Sequence, residues 1–97
     1  MRDVEILPPA QDDFDEGYVW YRKRDQRAAD GFDVSINAAI EKIRSDPTLG
    51  IRLDDEHFFY RLKKSYPYYL VYRVEPTKII IVAISHYRRD PGYWRGR

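Results

Sequence analysis

The 97-residue chain contains no cysteine and only two histidines, His57 and His86. Without thiols there is no disulfide framework and no thiolate metal site, and two separated histidines make no cluster, so a structural metal is not expected. Long apolar runs are also missing. The strongest, Ile79 to Ile84, falls far short of the roughly 20 residues that span a bilayer, which argues against a membrane protein. The first residues alternate charge with aliphatic side chains and show no basic segment leading into an apolar one, so no secretory signal is expected and the cytoplasm is the default location. No Gly-rich phosphate loop, Ser-His-Asp order or metal-ligand spacing is present, and no cofactor is expected. With no linker, repeat or low-complexity tract, residues 1–97 read as one domain with the last few residues, Trp94 to Arg97, as a tail.

Charge is present but unevenly placed. Residues 1–56 hold 8 Lys/Arg against 14 Asp/Glu, residues 57–97 hold 9 against 2, and the resulting −6 and +7 sum to the formal +1. The basic half also carries Tyr60, Tyr66, Tyr68, Tyr69, Tyr72, Tyr87, Tyr93 and Trp94. Cations beside flat π surfaces suit nucleic acid or an acidic protein partner.

Periodicity gives the elements. Val4 and Ile6 suggest a short strand that Pro8 and Pro9 end. Phe14, Tyr18 and Tyr21 recur at helical spacing, with Asp12 and Asp13 near the N-terminal end where the helix dipole favours them, so a helix is predicted from about Pro9 to Arg27. The carboxylates of Asp12 to Glu16 need no other role. A second helix is predicted from about Ala29 to Ser45, with Phe32, Ile36, Ala39, Ile40 and Ile43 forming one stripe and Asp46-Pro47 stopping it. Two helices this close should form an antiparallel hairpin. Thr48 to His57 reads as a loop, after which Phe58, Tyr60 and Leu62 alternate with Phe59, Arg61 and Lys63. After a turn near Ser65-Tyr66-Pro67, Tyr68, Leu70, Tyr72 and Val74 alternate with Tyr69, Val71 and Arg73. Ile79 to Ile84, apolar throughout, reads as a central strand covered on both faces. The expectation is an α+β domain in the order β-α-α-β-β-β, a helical hairpin on one face of a mostly antiparallel sheet, with Arg61, Lys63 and Arg73 converging on the open face.

This order, the Trp20-Tyr21 pair, the Phe59-Tyr60-Arg61 strand, the Tyr66 to Arg73 segment and the ending of His86, Arg88, Arg89, Asp90, Pro91, Tyr93 and Trp94 resemble the RelE/ParE family of bacterial type II toxins. The resemblance covers nearly the whole chain. It implies a plasmid-stabilisation toxin neutralised by a cognate antitoxin that wraps it. A ParE-like member inhibits DNA gyrase without being an enzyme, whereas a RelE-like member is an endoribonuclease that cuts mRNA on the ribosome; a family member could also be a non-toxic binding module. The Arg88-Arg89-Asp90 run favours the ParE-like branch.

Metal-free RNA cleavage needs a proton acceptor at the 2′-hydroxyl, cations for the phosphate and a donor to the leaving oxygen. The candidates are Arg61, Lys63, Arg73, His86 and Tyr87. Arginine stays charged and cannot shuttle protons, which leaves His86 as the deciding residue, unless it only caps the strand end against Tyr93 or Trp94. For a gyrase binder, the target-binding candidates are Arg61, Lys63, Arg73, Arg88, Arg89, Tyr93 and Trp94, with ion pairing to Asp90 or the acidic helices as the alternative role of Arg88 and Arg89. Tyr60, Tyr68 and Tyr72 are expected in the core, Tyr66, Tyr69, Tyr87 and Tyr93 at the surface, and His57 is read as a surface residue. Val19, Trp20 and Val34 lie off the core stripes and are the candidates for antitoxin contact.

Overall fold

The structure is a computed structural model that describes residues 2–62 and 66–97. Lys63 and the Ser65 end of the expected turn lie outside the described residues. The chain runs β1 (Asp3–Ile6), α1 (Pro8–Arg22), α2 (Gln26–Ser45), a single 3-10 turn (Pro47–Leu49), β2 (Ile51–Arg52), β3 (Phe58–Arg61), β4 (Tyr68–Val74) and β5 (Lys78–His86). The strands form one sheet in the order β1-β5-β4-β3-β2, parallel between β1 and β5 and antiparallel elsewhere. The two helices pack on one face of this α+β sheet. No described helix is long and apolar enough to cross a membrane.

Local chemistry sets the helix ends. Pro8 begins α1, where its missing N–H costs nothing. The expected single run to Arg27 is broken instead by Asp25, whose carboxylate accepts from the Arg27 N–H at 3.0 Å and caps α2. The first helix therefore ends at Arg22 and the second starts three residues before the position its stripe implied. Gly17 lets the helices close on the sheet: a Cβ there would stand 2.9 Å from the Phe32 ring and 3.0 Å from the Tyr68 hydroxyl.

The helix-side core takes the whole predicted stripe, Phe32, Ile36, Ala39, Ile40 and Ile43, against Leu70, Tyr72, Ile79, Ile81 and Ile84. On β5 the inward set switches from odd to even numbers because the β4–β5 register steps at Val71/Tyr72. Val71 faces Ala83 and Tyr72 faces Ile81, which leaves Val82 as the extra residue of a bulge. Ile80, Val82 and Ala83 then join Val71 and Trp94 in a second core on the opposite face. That face was expected to be partly open; residues after β5 fold back across it. The expected Thr48 to His57 loop contains β2, too short for alternation to reveal. Tyr72 secures its approach, accepting from the Gly50 N–H at 3.0 Å and donating to the Pro47 carbonyl at 2.7 Å.

Candidate functional site

The bulged centre of the sheet sends neighbouring candidates to opposite sides. Arg61, paired with Tyr69 across β3 and β4, lies on the face away from the helices, and its guanidinium carbon sits 5.6 Å from the centre of the Tyr87 ring. Tyr69 and Tyr87 lie 6.1 Å apart, ring to ring, and share a groove with Arg61. His86 faces the helices instead. Its ring meets Tyr68 edge-on at 5.1 Å, and its Nδ1 accepts from the Arg88 N–H at 3.0 Å. It lines a separate cavity of about 380 Å³ with Glu16, Trp20 and Tyr21. It does cap the strand end, though on Tyr68 rather than on Tyr93 or Trp94.

Arg73 is not part of a converged patch. It pairs with Ile80 while Tyr69 pairs with Ser85, so four residues of strand, about 13 Å, separate Arg73 from the Arg61 end. Its guanidinium donates to the Arg97 carbonyl at 3.3 Å. Among the described residues, Arg61 and Tyr87 are brought together and Arg73 and His86 are not.

The carboxylate that organises the far side was missed in the sequence. Asp13, assigned only to the helix dipole, is 7 % exposed. It accepts from the Ile84 N–H at 3.2 Å, the Tyr93 hydroxyl at 2.9 Å and the Arg97 guanidinium at 2.7 Å. Burial, reinforced by Asp13, pushes the Tyr93 hydroxyl up to about 12. Burial alone would lower the Arg97 pKa, but Asp13 outweighs it and raises it. The residues read as a tail are therefore docked. Trp94 is 2 % exposed, which removes it from the surface candidates. His57 closes over it at 4.7 Å and is itself bound to Asp54 at 2.9 Å, so it is no surface residue. Arg95 reaches Asp54 at 2.8 Å, and this bond, with the Glu56 and His57 N–H groups, holds the Asp54 carboxyl well below its usual range. Tyr93 and Tyr66 are likewise tied down; the Tyr66 hydroxyl donates to the Ala28 carbonyl at 2.8 Å. Position in the chain carried no signal for this, because the partners of Asp13 stand 71 to 84 residues away.

Arg89 pairs with Glu16 at 3.8 Å and lies over the Tyr93 ring at 4.1 Å, so one of the two arginines takes up the alternative role, an ion pair with an acidic helix. Arg88 is exposed. On the helical hairpin, Trp20 and Val34 are exposed and Val19 is half-buried. Arg24 covers the Trp20 ring at 3.5 Å, screening an aromatic that water would otherwise surround.

The arrangement has solved counterparts. A chain described as "Chromosomal ParDE TA system from P. aeruginosa" superposes with a TM-score of 0.74 at 18% identity, over 89% of this chain and 96% of that one. "The structure of YoeB dimer from Staphylococcus aureus" superposes at 0.56 with 17% identity, over 88% and 95%. At such identities the likeness is one of fold. No curated protein matches the sequence. The family model described as "ParE toxin of type II toxin-antitoxin system, parDE" matches residues 4–91, a span from β1 through the Arg88-Arg89 loop. The chain belongs to this ParE toxin family.

Proposed function

We propose that this ParE-type toxin acts by docking on DNA gyrase and cleaves no RNA. The observation that carries the reading is the placement of His86. Cleavage by the 2′-hydroxyl needs proton acceptor, proton donor and phosphate-binding cations within hydrogen-bond reach of one another's substrate atoms. His86 and Arg61 lie on opposite faces of the sheet, and Arg73 is held at the far end by Arg97. Among the described residues, what remains beside Arg61 is Tyr87, and a phenol is a poor proton acceptor. The set binds better than it catalyses. As a ParE-type toxin the chain has a cognate antitoxin, and the exposed Trp20 and Val34 on the helical hairpin supply apolar anchors for it.

A RelE-like ribosome-dependent endoribonuclease remains the second reading. The Arg61–Tyr87 pair beside Tyr69 favours it, since it offers a cation, a hydroxyl and a stacking ring in one groove. The two readings part in a purified system. The toxin is expected to inhibit DNA supercoiling by gyrase and to leave mRNA on stalled ribosomes intact; intact supercoiling with cut mRNA would reverse the assignment.

A further inference from the structure

The groove beyond the helices is more apolar than a site for nucleic acid needs to be. Leu53, Phe59, Tyr69 and Tyr87 form its walls, Arg61 and Arg95 stand at its rim, and its volume is about 470 Å³. Ile51 lies directly opposite Phe59 on the next strand and so extends the same strip towards the sheet edge. Ile51, Leu53 and Tyr87 are 62 %, 39 % and 46 % exposed. A contiguous apolar strip with a polar rim marks an interaction surface.

Of the two rim cations, Arg95 is paired with Asp54 and Arg61 makes no ion pair among the described residues. Asp54, the carboxylate beside the strip, is occupied by Arg95 and His57. Among the described residues no carboxylate stands within ion-pair distance of Arg61 or Arg88. A partner therefore meets aliphatic and aromatic side chains in the middle and, at the edge, the unpaired Arg61 guanidinium beside the Arg95–Asp54 pair. Leu53 and Ile51 offer a base nothing to stack on, and Phe59 and Tyr69 turn edge to face at 73°, engaged with each other. Nucleic-acid binding draws on a track of phosphate contacts, and the described lining of this groove supplies two cations.

We infer that the groove docks an amphipathic segment of the toxin's protein target, apolar along its centre with carboxylates at its flanks. The inference rests on the reading that gyrase is that target. The apolar centre sets how long the complex lasts and Arg61 at the rim adds to how fast it forms.

The test measures inhibition of supercoiling by purified gyrase holoenzyme for the intact chain and for Leu53→Asp, Arg61→Glu and, as a control on the opposite side, Lys23→Glu. Each replaces an exposed side chain, and thermal unfolding verifies the fold; should Leu53→Asp unfold, Arg61→Glu carries the test. Leu53→Asp and Arg61→Glu are each expected to raise the half-inhibitory concentration about tenfold or more, and Lys23→Glu to leave it unchanged. Equal inhibition by all four chains overturns the groove while the gyrase reading stands. Failure of the wild type to inhibit overturns both. Two further results would assign the groove to another occupant and overturn the inference: tight binding of a fluorescent oligodeoxythymidine that Arg61→Glu abolishes, or a wild-type dimer in sedimentation that Leu53→Asp dissociates.

Discussion

The two faces of the sheet are closed by different means. On the helix side, Phe32, Tyr72 and the isoleucines of α2 and β5 interlock, with stacked rings at Phe14 and Phe32 5.4 Å apart. On the other side a short segment after β5 is held at two points, Asp13 and Asp54, around the single large wedge of Trp94. Area buried by apolar contact is hard to undo at one position, whereas a segment held by two carboxylates can be released by losing either. The helix side supplies stability, and the far side keeps Arg61, Tyr87 and their apolar neighbours at the surface.

That contrast can be broken in graded steps. Phe32→Ala removes a fully buried ring and is expected to cost about 3–5 kcal/mol in urea unfolding, as a large-to-small core change does. Asp13→Ala removes the acceptor of the Tyr93 hydroxyl and the Ile84 N–H and leaves the Arg97 guanidinium with the Val82 carbonyl in place of a carboxylate; it is expected to cost roughly 3 kcal/mol, with proteolysis of residues 88–97 accelerated before the rest of the chain is cut. If that segment stays protected, the anchor assigned to Asp13 is wrong. By contrast, the Arg89–Glu16 pair is long and exposed on both sides, so Arg89→Ala should shift stability by less than about 0.5 kcal/mol.

The same contrast should appear against pH. Tyr68 and Tyr93 are both pushed up to about 12, chiefly by burial. A raised folded-state value means stability is complete below the ordinary tyrosine value near 10 and is lost as pH climbs towards 12, because the unfolded chain releases those protons first. Asp54 runs the other way: its depressed carboxyl contributes above its unfolded value of 3.8 and loses that contribution as pH falls below it. Thermal midpoints measured across both windows check this, and an Asp54→Asn chain should show a flatter acid limb.

Much of this was legible where the chemistry is periodic. The α2 stripe, the alternation of β4 and the apolar run of β5 each report a face directly, and the order of elements follows. The shortened α1 was not, because a capping Asp25 inside a polar stretch outweighs helical spacing that could run on. The convergence of Arg61 with Arg73, and of His86 with either, failed for a geometric reason: strand alternation puts His86 and Tyr87 on opposite faces, and strand length keeps Arg73 away. Asp13 was invisible because the sequence offered a local reason for it, the helix dipole, although α1 begins at Pro8 and holds no carboxylate in its first turn. Only the third dimension brings Tyr93, Ile84 and Arg97 to it.

As proposed above, this ParE-type toxin stops growth by binding gyrase through the face away from the helices, with no acid–base chemistry. The decisive experiment is induction of the chain without its antitoxin, with DNA and protein synthesis followed separately by pulse labelling in the first minutes. DNA synthesis is expected to fall first, and equally fast for His86→Ala. An early fall in protein synthesis that His86→Ala abolishes would contradict this proposal.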